Sequence, residues 1–488
     1  MIRHQVGLVS AVQSRWGSVS ELRVIVEGDE CDALNYELLT GPVSPGDLLL
    51  LNTTALFLSL GSGGYHFVEF NFSRPPPRFH GRGHIMKLCY TPWQIRVLSC
   101  EEREAGYRPQ LARFDGLRGT PVLIGELHSM VAPAVAVLKH YRPSCRIAYI
   151  MTDGTALPLA FSRTIAELKK KGLLNGTVTC GHAFGGDFEA VNLYSALAAC
   201  RELIGAEIII LSPGPGSIGT GSRLGFSGME TGDHVNRVNA LGGVPVFIPR
   251  LSFAERRRRH FGVSHHTLTA LGLAAISPAL LVLPLMPPPR LRLCLSQLAG
   301  RGLLSRHRLQ MRPAPPLEEI MEQMALSALK SMGRRYQDDP CFFNAAAAAA
   351  AAALEILDRK EGRGKNGEAR EKTLGEAAFV KLSLPGEDHQ CAPGPGSYPQ
   401  WQKGGFSGSR RASRCRGYPG VGSTAARSFG EAVPPCHRRS FTGGPRGEAR
   451  TGGGAASLCP KRARRRDRLP GRKLERADLV LQFPGVLR

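Results

Sequence analysis

Two rhythms of apolar and polar residues divide the chain. Up to about residue 115, short runs such as 21–27, 46–52 and 65–72 alternate with period two, between Gly-rich and Pro-rich punctuation. Period-two alternation of this length predicts half-buried strands, and hence a small β-rich barrel or sandwich over residues 1–115. From residue 121 the rhythm becomes strand, then helix, repeatedly. Short apolar runs at 121–124, 147–151, 177–180, 208–211, 244–248 and 280–283 read as buried strands. Between them, 127–141, 159–171 and 188–203 read as helices. Fully apolar strands alternating with helices predict a parallel sheet covered on both faces. The expected fold class is therefore α/β, with a doubly wound, Rossmann-like domain over 116–355. Near its end, 317–331 reads as an amphipathic helix and the nine alanines of 345–353 as a closing helix of small side chains.

Composition changes this picture mainly at the end of the chain. The formal net charge is +23, but residues 401–488 alone carry 20 Lys and Arg against 5 Asp and Glu. The folded part is thus only mildly basic. Beyond about residue 356 periodicity is lost to Gly, Arg, Ser and Pro, which predicts a disordered basic tail over 356–488. Nucleic acid is the natural partner for such a tail, so that reading stands or falls with it. The 12 cysteines include no C-x-x-C pair, which removes the usual structural zinc spacing. The start resembles no signal peptide, and the uncharged stretch 267–289 is broken by Pro278 and Pro284. A cytoplasmic protein without a membrane partner is expected.

In open parallel sheets, ligands bind beyond the carboxyl ends of the strands. Four consecutive predicted strand ends carry chemically capable residues. The first holds Asp153, the second His182 and Asp187, and the fourth the run from Arg250 through His260, His265 and His266. The third opens the loop L-S-P-G-P-G-S-I-G-T-G-S over 211–222. There Gly214, Gly216, Ser217, Gly219, Thr220, Gly221 and Ser222 offer bare backbone N–H groups and hydroxyls to an anion. The loop lacks the lysine of a phosphate-binding P-loop, and its glycine spacing follows the fourth strand, not the first. Asp153, His182, Asp187, His265 and His266 are the candidate acid–base or metal groups. No cofactor is specified. Each feature also has a plain structural reading: the glycines as turns, Ser264 as a helix N-cap, and the arginine run 256–259 as a solvated face. Two classes of function stay open, an enzyme acting on a phosphorylated or nucleotide-like substrate and a non-catalytic ligand-binding or regulatory module.

The motifs G-T-G-S-R-L-G-F-S-G-M-E, N-A-L-G-G-V-P, R-L-S-F-A and R-H-F-G-V-S-H-H-T-L-T-A-L-G resemble a bacterial family known only as domain of unknown function 3866. L-N-T-T-A, G-G-Y-H-F-V and S-M-G-R-R-Y-Q-D-D-P-C-F-F resemble its flanking segments, so the likeness spans about 1–355. It implies a domain extent and no activity. The tail carries a different likeness. Back-translated and read one frame over, it permits E-V-P-A-G-K-L-E-P-G-E-E from Gly443 and R-R-E-L-E-E-E-T-G from Pro460 through Arg468. Together these resemble a Nudix box, as a frame-shifted neighbouring gene would leave it. None of that motif's metal-binding glutamates exists in this chain, so no Nudix activity is implied.

Overall fold

The computed structural model describes residues 2–61, 63–75, 81–360 and 362. The tail, with the nucleic-acid and shifted-frame readings it carries, lies outside the described residues.

The first strands are β1 (His4–Trp16), β2 (Val19–Val26), β3 (Asp29–Tyr36), β4 (Leu48–Asn52) and β5 (His66–Asn71). They close into a barrel of order β1-β2-β3-β5-β4, with β3 and β5 parallel and the other pairs antiparallel. That is the order of an OB-type barrel. Period two does the work: Leu22, Val24, Leu49 and Leu51 point inward and are fully buried. A hairpin, β6 (Ile85–Lys87) and β7 (Ile95–Val97), then leads toward the second layer.

The larger sheet contains β8 (Pro121–Gly125), β9 (Ile147–Thr152), β10 (Gly176–Thr179), β11 (Phe188–Glu189), β12 (Ile208–Pro213) and β13 (Val244–Ile248). A small hairpin follows, β14 (Leu251–Ser252) with β15 (Gly262–Val263), and β16 (Leu280–Pro284) and β17 (Arg308–Arg312) complete the sheet. All eight sheet strands are parallel, in the order β11-β10-β9-β12-β8-β13-β16-β17. Every residue of β8, β9, β10 and β12 is buried, as continuous apolar runs in a two-faced sheet should be.

Six of the eight strands follow the order 3-2-1-4-5-6, with β12 inserted between β9 and β8 and β11 added at the edge beyond β10. The helices used below are α1 (Val131–Tyr141), α2 (Arg163–Lys170), α3 (Leu193–Glu202), α4 (Glu230–Ala240), α5 (His265–Thr269), α6 (Pro288–Ala299), α7 (Leu317–Gln323) and α8 (Pro340–Lys360). α8 packs across β8, β13 and β16 and against α1, so these two helices share a face. Right-handed crossovers running the other way along the sheet place α3, α4 and the α5 segment on the opposite face. By length and apolar character α8 would be long enough to cross a membrane, but 78% of its most apolar stretch is buried inside the fold. The alanines at 345–353 are all buried and let the helix lie close on the strands.

Several expectations shift at element ends. The predicted helix over 188–203 begins only at Leu193, with Asn192 capping it, while Phe188–Glu189 is an edge strand. The predicted helix 317–331 stops at Gln323, and the closing helix runs to Lys360, past the expected boundary at 355. β17 was not expected, because its sequence R-L-Q-M-R shows no apolar run.

The barrel and the α/β layer are joined by specific bonds. The Trp16 indole donates to the Ala160 carbonyl at 2.8 Å, and the Arg163 guanidinium lies over the Trp16 ring while pairing with Glu21 at 2.8 Å.

Candidate functional site

Topology makes the carboxyl end of β8 the place where a ligand crevice is expected. This strand feeds α1 on one face, whereas its neighbours β12 and β13 feed helices on the other. Connections that part in this way leave room at the carboxyl ends of the strands. Three strand ends converge there. Glu126 follows β8, the segment Phe226–Glu230 ends the glycine-rich excursion after β12, and Arg250 follows β13. The β14–β15 hairpin then returns the chain so that His260 faces the first turn of α5. Ser264 caps that turn, its hydroxyl accepting from the His266 backbone N–H.

The result is a cluster of three imidazoles. The rings of His260, His265 and His266 lie with centroids 4.4 to 4.9 Å apart, and each can offer a nitrogen within 4.8 Å of the other two. Phe226 stacks flat on His266, centroids 3.9 Å apart and planes within 1°. Arg250, only 4% exposed, donates to His266 Nδ1 at 3.2 Å, and Arg259 donates to His260 Nε2 at 3.3 Å. His260 Nδ1 meets the Ser264 hydroxyl at 2.8 Å. Glu126, 3% exposed, accepts from the Thr267 hydroxyl through Oε2, while its Oε1 has no hydrogen-bond partner and lies 3.6 Å from His266 Nδ1. His265 Nε2 is likewise buried without a partner.

Burial sets the charge states. It pushes the Glu126 carboxyl up to about 7, outweighing the nearby Arg250 charge and the Thr267 bond. Burial, then Arg250 and the neighbouring rings, brings His266 down to about 2, and burial with Arg250 brings His260 to about 3. His265 is lowered in the same way, by burial and then Arg259. Contact between Glu126 and His266 is therefore no salt bridge, since both groups are driven toward their neutral forms. A second carboxyl near the crevice, Glu230 at the start of α4, is also raised by burial to about 7 while accepting from the Thr152 hydroxyl at 2.8 Å.

The residues expected from the sequence fall into three groups. His265 and His266 belong to the cluster. Asp153 and His182 form a brace beside Glu230, whose carboxyl the Asp153 charge helps to raise. Asp153 Oδ2 accepts the His182 backbone N–H at 2.9 Å and fills the space beside Gly181, while His182 Nδ1 accepts the Leu88 N–H at 3.1 Å. Asp187 sits at the amino end of β10, bonded to the Thr177 N–H and hydroxyl and paired with Lys169. Burial would raise its pKa, but the bonds from Lys169 and Thr177 outweigh this and hold it low. The turn after β10 reverses the chain, so Asp187 returns to the far end of the strand, away from the histidines.

The glycine loop divides between a buried start and an exposed lobe. Gly214 is buried with no room for a Cβ, which would lie 2.3 Å from the Ala156 carbonyl oxygen. Gly216, Ser217, Gly219, Thr220, Gly221 and Ser222 are exposed on a small lobe, where Gly219 pairs with Phe226 and Thr220 bonds Ser222 and Gly225. The lobe contributes through its base, Phe226 and Gly228, and through Gly221, which approaches Arg259.

Sequence reasoning missed Glu126, Glu230 and Phe226. Glu126 stands right after the first strand of the sheet, so the strand-end rule applied to that strand would have found it. A cleft of about 480 Å³ lies elsewhere, at the amino ends of β13, β16 and β17, with Glu355 and Arg359 on its rim. Glu355 is already ion-paired to Arg312 and Arg359, and the cleft holds none of the perturbed groups. The carboxyl-end crevice is the better candidate.

A family model described as "Protein of unknown function (DUF3866)" matches residues 32–350. No curated protein and no solved structure matches the chain.

Proposed function

The chain belongs to this family, whose description assigns no activity, and from the geometry of the crevice we propose that it is an enzyme acting on a small anionic substrate, phosphorylated or nucleotide-like. The single observation that carries this reading is the convergence of Glu126, Arg250, His260, His265 and His266 beyond β8. Structural burial alone seldom collects a carboxyl, a guanidinium and three imidazoles, with two buried polar atoms left unpartnered.

Each group has a task that its surroundings suit. Arg250 carries a fixed charge whose guanidinium donates to an imidazole nitrogen and, at 3.1 Å, to the Met332 sulfur, both weaker acceptors than an anion oxygen. An incoming phosphate or carboxylate would replace them. Glu126, poised near neutrality, is suited to give or take a proton at physiological pH. Arg259 and the lobe beside it would help hold the charged end of the ligand. On this reading the sheet is used as Rossmann-like sheets are, with the ligand beyond its strand ends, in a cytoplasmic protein.

The test is a thermal-shift and calorimetric panel on the full chain with inorganic phosphate, pyrophosphate, a sugar phosphate and a nucleoside diphosphate, repeated on Arg250→Gln and Glu126→Gln. We expect at least one anion to bind, Arg250→Gln to lose it, and Glu126→Gln to bind but not turn over. Binding without turnover by the wild type would instead identify a ligand-binding module. Absence of any binding, or binding indifferent to Arg250, would end the proposal.

A further inference from the structure

We propose that His260, His265 and His266 hold one divalent transition-metal ion of the zinc class, with an open coordination position toward the crevice. The inference concerns the same site as the proposed function but needs no substrate.

Three imidazoles in mutual contact are an unusual way to fill space. Each neutral ring carries one nitrogen lone pair, and those of His266 and His260 are met only by arginine N–H groups. The cluster also leaves His265 Nε2 buried with no partner. A buried unsatisfied nitrogen needs an explanation, and a bound cation supplies one. The three ligand nitrogens lie within 4.8 Å of one another. A tetrahedral ion with bonds of about 2.0–2.1 Å would draw them to about 3.4 Å. Closing that gap takes rotation of side chains, beginning with His265, which is only half-buried.

The donor set selects the ion's class. Three nitrogens without a thiolate suit Zn²⁺, Co²⁺, Ni²⁺ or Cu²⁺ over Mg²⁺ or Ca²⁺, which prefer oxygen. Three protein ligands also leave the fourth position that catalytic zinc sites keep for water or substrate. Partners for the outer nitrogens are in place. His260 Nδ1 already bonds the Ser264 hydroxyl at 2.8 Å. His266 Nδ1 lies 3.6 Å from Glu126 Oε1, the buried oxygen without a partner. Donation of that N–H to the carboxylate would orient the ring and free Nε2 for the ion, the usual second link in a histidine–metal site.

Two arginines stand in the way, and they make the proposal specific. Arg250 Nη1 donates to His266 Nδ1, and Arg259 Nε donates to His260 Nε2. In the metal-free protein they occupy lone pairs the loaded site would use or reorient. Loading displaces both, which Arg259 at the surface allows readily. Their positive charge also opposes a bare dication, so the ion is held best together with an anion in its open position.

The test uses the full-length protein, stripped with chelator and titrated with Co²⁺, whose visible absorption reports a four-coordinate nitrogen site. Zn²⁺ then competes, and bound metal is measured by elemental analysis. We expect one equivalent of Co²⁺ displaced by Zn²⁺, at least tenfold weaker binding in His265→Ala, and several-fold tighter binding in Arg259→Ala. A structural histidine cluster would not produce the last effect. Far-UV circular dichroism checks that His265→Ala is folded, and the wild-type measurement stands without any variant. No stoichiometric Co²⁺ in the wild type, or binding unchanged in folded His265→Ala, would overturn the proposal. Phosphate binding without Co²⁺ would sink the metal centre and leave the anion site. Co²⁺ bound with no anion response would do the reverse.

Discussion

Lys87 anchors the β6–β7 hairpin to the edge of the large sheet, and its replacement by Met should loosen the fold measurably. The ammonium is 2% exposed in its side chain and donates to three acceptors: the carbonyls of Thr179 and Ala183 and, at 2.6 Å, Glu189 Oε2. Removing one member of a buried ion pair typically costs about 3–5 kcal/mol. Glu189 is not wholly stranded by the change. It keeps the Thr179 hydroxyl at 2.7 Å and the Gly185 N–H at 2.6 Å, and its side chain is 12% exposed. The methionine also preserves most of the apolar stem. These offsets bring the expected loss to the lower end, about 3 kcal/mol. Equilibrium urea unfolding of the full chain would measure it, with Trp93 in the hairpin loop and Trp16 in the barrel as separate reporters. A double-mutant cycle with Glu189→Gln isolates the pair. A loss below about 1 kcal/mol, or a coupling near zero, would show that the hairpin is held by something other than this ion pair.

Four further outcomes are expected. Glu126→Gln should change the pH dependence of stability. Its folded pKa of about 7 exceeds the ordinary 4.5, so the folded state binds the extra proton and stability falls as pH rises between these values. The variant should match wild type near pH 4.5 and exceed it by about 3 kcal/mol at pH 8, read from urea midpoints at the two pH values. The cluster histidines work in the opposite sense: their lowered pKa values make folding less favourable as pH falls below about 6.5, so wild-type stability should peak near neutrality. Gly232→Ala should destabilise by about 1–3 kcal/mol, because a Cβ there would lie 2.5 Å from the Ala270 carbonyl oxygen, and thermal denaturation would record it. Asp187→Ala should cost about 1–2 kcal/mol in the same assay while leaving anion and Co²⁺ binding untouched; a loss of binding would return Asp187 to the site.

Much of the fold was legible because the physics that builds it is local. A strand covered on both faces needs an unbroken apolar run, and all six runs read as strands lie in the parallel sheet. β17 escaped for the converse reason: at the sheet edge its arginines reach solvent or Glu355, so no run forms. Strand order is set by which helix faces fit together across the layers, and no single segment encodes it. The site was half legible. Arg250, His260, His265 and His266 stood out as one run after a single strand, but their partner Glu126 is a lone residue after another. Asp153 and Asp187 looked equivalent beside glycines; only the reversal of the chain at Gly181–Gly186 separates a brace near one end of β10 from an anchor at the other.

The alanine-rich helix α8 also has a consequence in time. It is the last of the described elements to be synthesised, yet it covers β8, which ends at Gly125. Until it leaves the ribosome, the faces of β8, β13 and β16 that it will cover have no lid, and a growing chain must carry that sticky surface exposed. Chains cut short before Pro340 should therefore clump or recruit chaperones even though every other described element is present.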